Sequence, residues 1–360
     1  MTARIITATN VNYALEEGLN WLKVAGLLTG SRNGPVLKAP GPVITAYKRP
    51  DQRVLFSTLR DCNPFFHLFE SMWMLAGRND TASLKPLVPR MQEFSDDQHT
   101  LNGAYGFRWR EYFGFDQIKA VVALLRKDRT SRRIVLTMWD AMGEDNSANG
   151  GYHYSPDLLN QTSKDLPCNT HIYFDASAGD LDMTVCCRSN DVVWGAYGAN
   201  AVHMSFLHEL IAAASGLNLG TYYQMSNNYH IYVERPDTAR LLDTDGERHQ
   251  WSVLYTANDE YAKGNGAIVR PLLAGNEADS LSAFLQEMEN WVELGGYMKG
   301  AHFSFTQNVL NPMMNAHRLH KEGATHTAIG VLQAALPSDW RTAGLMWLSK
   351  RMLAANNKTV

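Results

Sequence analysis

Two residues twenty positions apart (188 − 168) define the chemistry this chain can support: Cys168, within Leu166-Pro167-Cys168-Asn169-Thr170, and Arg188, within Cys187-Arg188-Ser189-Asn190-Asp191. A cysteine attacks through its thiolate, a minor species at neutral pH because the free thiol has a pKa of about 8.5. A neighbouring guanidinium raises that fraction, and the same planar fork binds phosphate oxygens bidentately. The pairing predicts covalent chemistry on a phosphorylated substrate. Arg132-Arg133, after Ser131, and Arg32, within Thr29-Gly30-Ser31-Arg32-Asn33-Gly34-Pro35, offer further anion-binding groups. Each has a plainer reading too: Cys168 as a small buried hydrophobe, the arginines as solvated charge, Ser189 as a turn residue.

The elements that position these groups belong to a chain of 360 residues, 45% hydrophobic and 19% charged, which suits one elaborated globular domain over residues 1–360. A net charge of −3 gives no broad attraction to a nucleic-acid polymer, so phosphate must be held by local arginines. Cys62, Cys168, Cys186 and Cys187 lack paired metal-ligand spacing, so no metal site is expected and a reduced, cytoplasmic setting fits them. The chain shows neither a charged-then-apolar leader nor a run of about 18 apolar residues, so neither a signal peptide nor a membrane span is expected.

Along the chain, Tyr13 to Leu22 has helical spacing, and the polar turn at 29–35 is expected to stop that helix and leave Arg32 on a loop. Asn63-Pro64 starts a helix carrying Phe66, Phe69, Trp73 and Leu75, and Asp116 caps another with Ile118, Val121, Val122 and Leu125. Ile134 to Trp139 reads as a buried strand. Residues 141–166, rich in Gly, Asn, Ser and Asp, read as a long surface excursion inserted before the cysteine. His171–Asp175 and Leu181–Cys187 flank a turn at 176–180, a hairpin whose second strand puts Leu181, Met183 and Val185 on one face and Arg188 with Asp182, Thr184 and Cys186 on the other. Val202, Phe206, Leu210 and Ala214 mark a buried helix stopped by Gly216. Residues 222–232 return as an extended polar-aromatic segment. Leu281 to Val292 form a late amphipathic helix, and Ser338 caps a final one.

In order along the chain stand Ser31-Arg32-Asn33-Gly34, His67-Leu68-Phe69-Glu70-Ser71-Met72-Trp73, Tyr105-Gly106-Phe107-Arg108-Trp109-Arg110, Ser131-Arg132-Arg133-Ile134, Pro167-Cys168-Asn169, Arg188-Ser189-Asn190-Asp191, Gly195 through Asn200, and His230-Ile231-Tyr232. This ordered set, over roughly residues 13 to 235, resembles the thymidylate synthase family, including its pyrimidine-nucleotide hydroxymethylase branch. The resemblance implies an α+β fold, with a large mixed β-sheet packed against helices and a homodimer formed through the sheet. It also implies that Arg132 and Arg133 reach across the interface to join Arg32, Arg188 and Ser189 around the phosphate of a pyrimidine deoxynucleoside monophosphate. His230 and Tyr232 would hold the ribose 3′ hydroxyl, with Asp191 near the substrate; without the resemblance, His230 and Tyr232 read as packed strand residues and Asp191 as a cap. The region from about residue 236 departs from the family pattern, and its last residues do not match the tail that closes over folate.

The implied reaction adds Cys168 to C6 of the pyrimidine, which activates C5 toward the one-carbon unit of 5,10-methylenetetrahydrofolate. Glu70, with Tyr105 nearby, would serve the proton transfers; a glutamate on such a helix also reads as an edge charge. Hydride then gives a methyl group and water a hydroxymethyl group. Asn169 stands where the synthases carry histidine, and residues 87–104 contain Phe94 but no tryptophan to shield the intermediate, so water is expected. Asn200, at the base-reading position, can donate to O4 and accept from N3–H of uracil, whereas aspartate suits the cytosine amino group. It also reads as a helix cap. The reading is therefore deoxyuridylate hydroxymethylation. Thymidylate synthesis, hydroxymethylation or methylation of a cytidylate, and a catalytically silent nucleotide- or RNA-binding homologue are the alternatives.

Overall fold

The computed structural model describes residues 2–146, 151–154, 156–235, 238, 241–242, 259–264 and 266–356. Its early elements are β1 (Arg4–Ala8), α1 (Val11–Ala25), β2 (Leu27–Thr29), β3 (Val36–Lys38), β4 (Val43–Tyr47), α2 (Pro64–Leu75), α3 (Tyr105–Arg110), α4 (Gln117–Lys127) and β5 (Val135–Thr137). They begin where the sequence supplies caps. Asn10 accepts from the N–H groups of Asn12 and Tyr13, Asn63 from Phe65 and Phe66 with Pro64 in the first turn, and Asp116 from Lys119.

Then come β6 (Glu144–Asn146), β7 (Gly151–Tyr154), β8 (Asn169–Asp175), β9 (Asp180–Cys187), β10 (Asn190–Asp191), α5 (Asn200–Ser215), β11 (Asn218–Ser226) and β12 (Tyr229–Tyr232). A six-stranded mixed sheet runs β1-β4-β11-β9-β8-β5, and a smaller four-stranded one runs β10-β12-β3-β2. α5 is buried along most of its length, as expected of a helix apolar on nearly all sides, and ends at Gly216 in the left-handed region with φ of 68°. α6 (Leu281–Glu293), α7 (Asn311–Lys321), α8 (Thr325–Ala334) and α9 (Asp339–Asn356) make up most of the divergent C-terminal third. They close on α2 through Phe69 against Trp291 and Phe65 against His317 and Trp347. Ser338 Oγ accepts from Arg341 N, the expected cap of the last helix.

Three local expectations change. The helix α1 ends at Gly26, whose N–H bonds Leu22 O, and the turn at 29–35 instead joins β2 to β3 as a hairpin. Gly26 suits the stop because a Cβ there would lie 2.5 Å from both Leu22 O and the Leu37 side chain. The apolar run at 134–139 forms an edge strand buried on one side only: Ile134, Leu136 and Met138 are inside, while Val135 is 44% exposed. Helices cover just one face of the large sheet. Finally, the excursion at 141–166 contains paired strands, β6 and β7, although residues 147–150 and 155 lie outside the described set.

The return of that excursion is anchored by a buried ion pair. Arg108 donates to both carboxylate oxygens of Asp157, at 2.6 and 2.9 Å, and to Met138 O at 2.7 Å, with both partners almost fully buried. The guanidinium thus ties α3, β5 and the segment leading to Cys168 together. α3 itself lies so close to α2 that a Cβ at Gly106 would sit 2.0 Å from Met74 O. Asp157→Ala leaves a buried cation without its counter-ion and is expected to cost about 3–5 kcal/mol of unfolding free energy. Urea denaturation measures it, and a loss below about 1 kcal/mol, the range of a surface pair, would contradict the anchoring role.

Candidate active site

A cavity of about 670 Å³ opens where the C-terminal end of β9, the β2–β3 turn and the end of the 141–166 excursion meet, a size that suits a small ligand. Cys168 faces it, and so do Arg32, Arg188, Ser189, Asp191, His230 and Tyr232. The structure therefore gathers seven of the sequence-predicted residues from four separate stretches of chain. It adds Lys38, Asp165 and Asn228, which motif reading passed over. Asp165 was readable only as part of the excursion; its Oδ2 accepts from Gly103 N at 2.8 Å.

Arg188 is held by the loop it serves. Its N–H bonds Cys168 O at 2.8 Å, and its guanidinium donates to Pro167 O at 2.9 Å and Leu166 O at 3.2 Å. The alternation expected for β9 is what brings it there: Leu181, Met183, Val185 and Cys187 are buried, and Arg188 follows on the exposed side. The positive charge pulls the Cys168 thiol pKa down, but burial outweighs it and holds the thiol above its ordinary value, with Asp165 adding in the same direction. The expected gain in thiolate is therefore not realised, because desolvation of the anion exceeds the pull of one partly exposed cation.

Asp191 serves as cap and as cavity wall. One oxygen accepts from Val193 N at 3.0 Å and Trp194 N at 2.6 Å, while Oδ2 is buried without a hydrogen-bond partner. Burial raises its pKa, opposed by those backbone donors and His230, and burial lowers that of His230 despite the pull of Asp191. The His230 ring meets Tyr232 edge-on at 5.4 Å, and Arg235 stacks over Tyr232 at 4.0 Å.

The other predicted residues do not line this cavity. Asn169, Asn200 and Tyr105 form a buried polar layer adjoining Cys168: Asn169 N donates to Tyr105 OH at 3.3 Å, and Asn169 Nδ2 to Asn200 Oδ1 at 2.9 Å. Asn200 Nδ2 continues to Asn190 Oδ1 at 3.0 Å, and Asn190 to Gln224 and Ser226. Gly195 leaves room for this chain of amides, since a Cβ there would meet Asn190 Oδ1 at 2.5 Å. Asn200 is not a helix cap; the helical turn that starts at Val192 is kinked at Gly198, whose dihedrals are non-helical, but Ala199 and Asn200 already have helical dihedrals and lead α5. Burial drives the Tyr105 pKa well up, with Cys168 adding to the rise, so the phenol keeps its proton. Glu70, on α2, packs against His203, one turn beyond Asn200 on α5. Arg132 and Arg133 are exposed at the turn before β5 and stand outside this cavity. Among the described residues no group of three or more His, Cys, Asp or Glu could hold a metal ion, and no helix is long and apolar enough to cross a membrane.

A half-buried cysteine opening onto a cavity with two arginines at the end of a mixed sheet suits a transferase acting on a phosphorylated substrate, and comparison with known proteins points to the same class. The thymidylate synthase family matches residues 46–254, and the chain belongs to that family. A deoxyuridylate hydroxymethyltransferase of Pseudomonas phage M6 is 41% identical over 359 residues, 98% of this chain and 95% of the relative. Proteins of the same description from Bacillus phage SP01 and Delftia phage PhiW-14 are 33% and 31% identical, over 56% and 63% of this chain and 52% and 62% of their own lengths.

Proposed function

We propose that this protein transfers a one-carbon unit from 5,10-methylenetetrahydrofolate to C5 of deoxyuridylate and hydrates it, yielding 5-hydroxymethyldeoxyuridylate. The observation that carries the reading is the opening of Cys168 onto a cavity shared with Arg32, Arg188, Ser189, His230 and Tyr232. Sulfur adds to C6, the arginines and Ser189 take the phosphate, and His230 and Tyr232 take the sugar hydroxyl. The near-full-length match to a phage deoxyuridylate hydroxymethyltransferase supports the substrate and the product. A reduced folate supplies the one-carbon unit at methylene oxidation level. Its fit is supported by the partnerless Asp191 Oδ2, a buried acceptor suited to the N–H groups of a pterin ring.

Homodimerisation through the large sheet belongs to the same reading. By register, Ile5, Ile44, Met225, Cys186, Tyr173 and Val135 share the face that the helices leave uncovered, and Ile5, Tyr173 and Val135 are 62%, 46% and 44% exposed. A second copy on that face would bury it and carry Arg132 and Arg133, at the β5 edge, toward the neighbouring phosphate.

The test is to incubate deoxyuridylate and deoxycytidylate separately with methylenetetrahydrofolate, weigh the nucleotide by mass spectrometry and follow dihydrofolate by absorbance. A hydroxymethyl product from deoxyuridylate without dihydrofolate is expected; a methyl product with dihydrofolate overturns the reading. Asn200→Asp is expected to move the ratio of kcat/KM toward deoxycytidylate by about tenfold or more, because the carboxylate accepts from an amino group and repels O4. An unchanged ratio would remove Asn200 from base reading.

A further inference from the structure

Glu70 is 7% exposed on α2, and His203 is 2% exposed on α5. Glu70 Oε2 and His203 Nε2 lie 3.0 Å apart, yet their alignment falls short of a hydrogen bond. Glu70 Oε2 and both ring nitrogens of His203 are thus buried polar atoms without an aligned partner. Leaving a buried polar group unsatisfied is destabilising, so several gathered at one point mark a place built for water or a polar ligand group. Its position suits the reaction. His203 lies three residues after Asn200 and so shares its helix face, and Asn200 bonds Asn169, the neighbour of Cys168. His67, on α2 with Glu70, stays uncharged: burial, His203 and Arg60 push its pKa down to about 3.

We propose that His203 is a positioning residue that holds Glu70 Oε2, and that the two together seat the water that becomes the product hydroxyl. The inference rests on the hydroxymethylation reading. In the step it serves, the water oxygen bonds to the exocyclic methylene carbon at C5 and the water proton passes to the Glu70–His203 pair. The electron pair of the exocyclic double bond moves into the ring, the C6–S bond breaks, and the C5–C6 double bond reforms as Cys168 leaves as thiolate. No oxidant or reductant is consumed, and the electrons balance between the new C–O bond and the released sulfur.

Two variants of similar volume test this in single-turnover reactions with 5-tritiated deoxyuridylate. Tritium release reports loss of the C5 proton, before water adds, and hydroxymethyl product reports the step after. His203→Leu is expected to slow product formation about 100-fold while tritium release stays within about threefold of the parent, the size of a lost proton-transfer contact. His203→Gln, which keeps a side-chain N–H, is expected to recover about tenfold of that loss, leaving kcat about tenfold below the parent and KM for deoxyuridylate unchanged. Equal slowing of both steps, or an undiminished product rate, overturns the role of His203 while leaving the reaction intact. Should His203→Leu fail to fold, an unaltered kcat in His203→Gln overturns the inference by itself. Failure of the underlying reading is seen separately, as a methyl product from the parent protein.

Discussion

Cys168→Ala is expected to lower release of tritium from 5-tritiated deoxyuridylate by at least about 10⁴-fold, because the loss removes the attacking atom itself. C5 of a pyrimidine is a weak nucleophile until a group adds at C6, and no other described thiol, Cys62 included, lines the cavity. Cys187 is buried with its pKa driven upward by desolvation, and it points away from Arg188 across the strand; Cys186 faces the open side of the sheet. Nucleotide binding should survive, since the phosphate and sugar contacts are separate from the sulfur. Isothermal titration with deoxyuridylate alone is therefore expected to give a Kd within a few-fold of the parent. Residual tritium release within about tenfold of the parent would refute covalent catalysis by this residue.

Arg188→Leu is expected to reduce kcat/KM for deoxyuridylate by about 10³-fold, because one guanidinium performs two tasks. It fastens the Cys168 loop through Leu166 O and Pro167 O, and its remaining donors face the cavity. Hydrogen bonds made by charged groups are each worth about 1.5–3 kcal/mol, so losing two or three of them accounts for that magnitude. Arg188→Lys keeps the charge but cannot span both carbonyls and a phosphate oxygen at once, and should recover only a minor part of the activity. Steady-state kinetics on both variants decides it. Full activity in the lysine variant would show that the charge alone matters and that the fork is idle.

The parts of the site that could be read from the chain are those set by short-range rules. Asn63, Asp116 and Ser338 each cap the helix that follows them, as the sequence pattern predicts, and strand alternation puts Arg188 on the exposed side of β9. Errors arose where a local pattern has two tertiary outcomes. An apolar run such as 134–139 reads alike whether the sheet is covered on one face or two, and only the absence of helices on the second face exposes Val135. The polar turn at 29–35 ends something in either case; whether a helix or a strand precedes it depends on β2 finding β3. Asn200 reads as a cap because it precedes Ala201-Val202-His203, yet the backbone recovers helical dihedrals at Ala199, just after the kink at Gly198, so Asn200 lies inside the helix.

By itself the sequence determined the family and the class of reaction and pointed to a nucleophile and anion-binding groups, because these reside in residue types and in spacings that survive without knowledge of the fold. Tertiary structure alone decided which groups meet. Glu70 and His203 are 133 positions apart (203 − 70), and Arg108 finds Asp157 across 49 positions. No local periodicity encodes such contacts; they follow from how α2 and α5 pack and from where the excursion returns. The balance of burial against charge at Cys168 belongs to the same level, since desolvation is a property of the assembled surroundings and not of the residue that feels it.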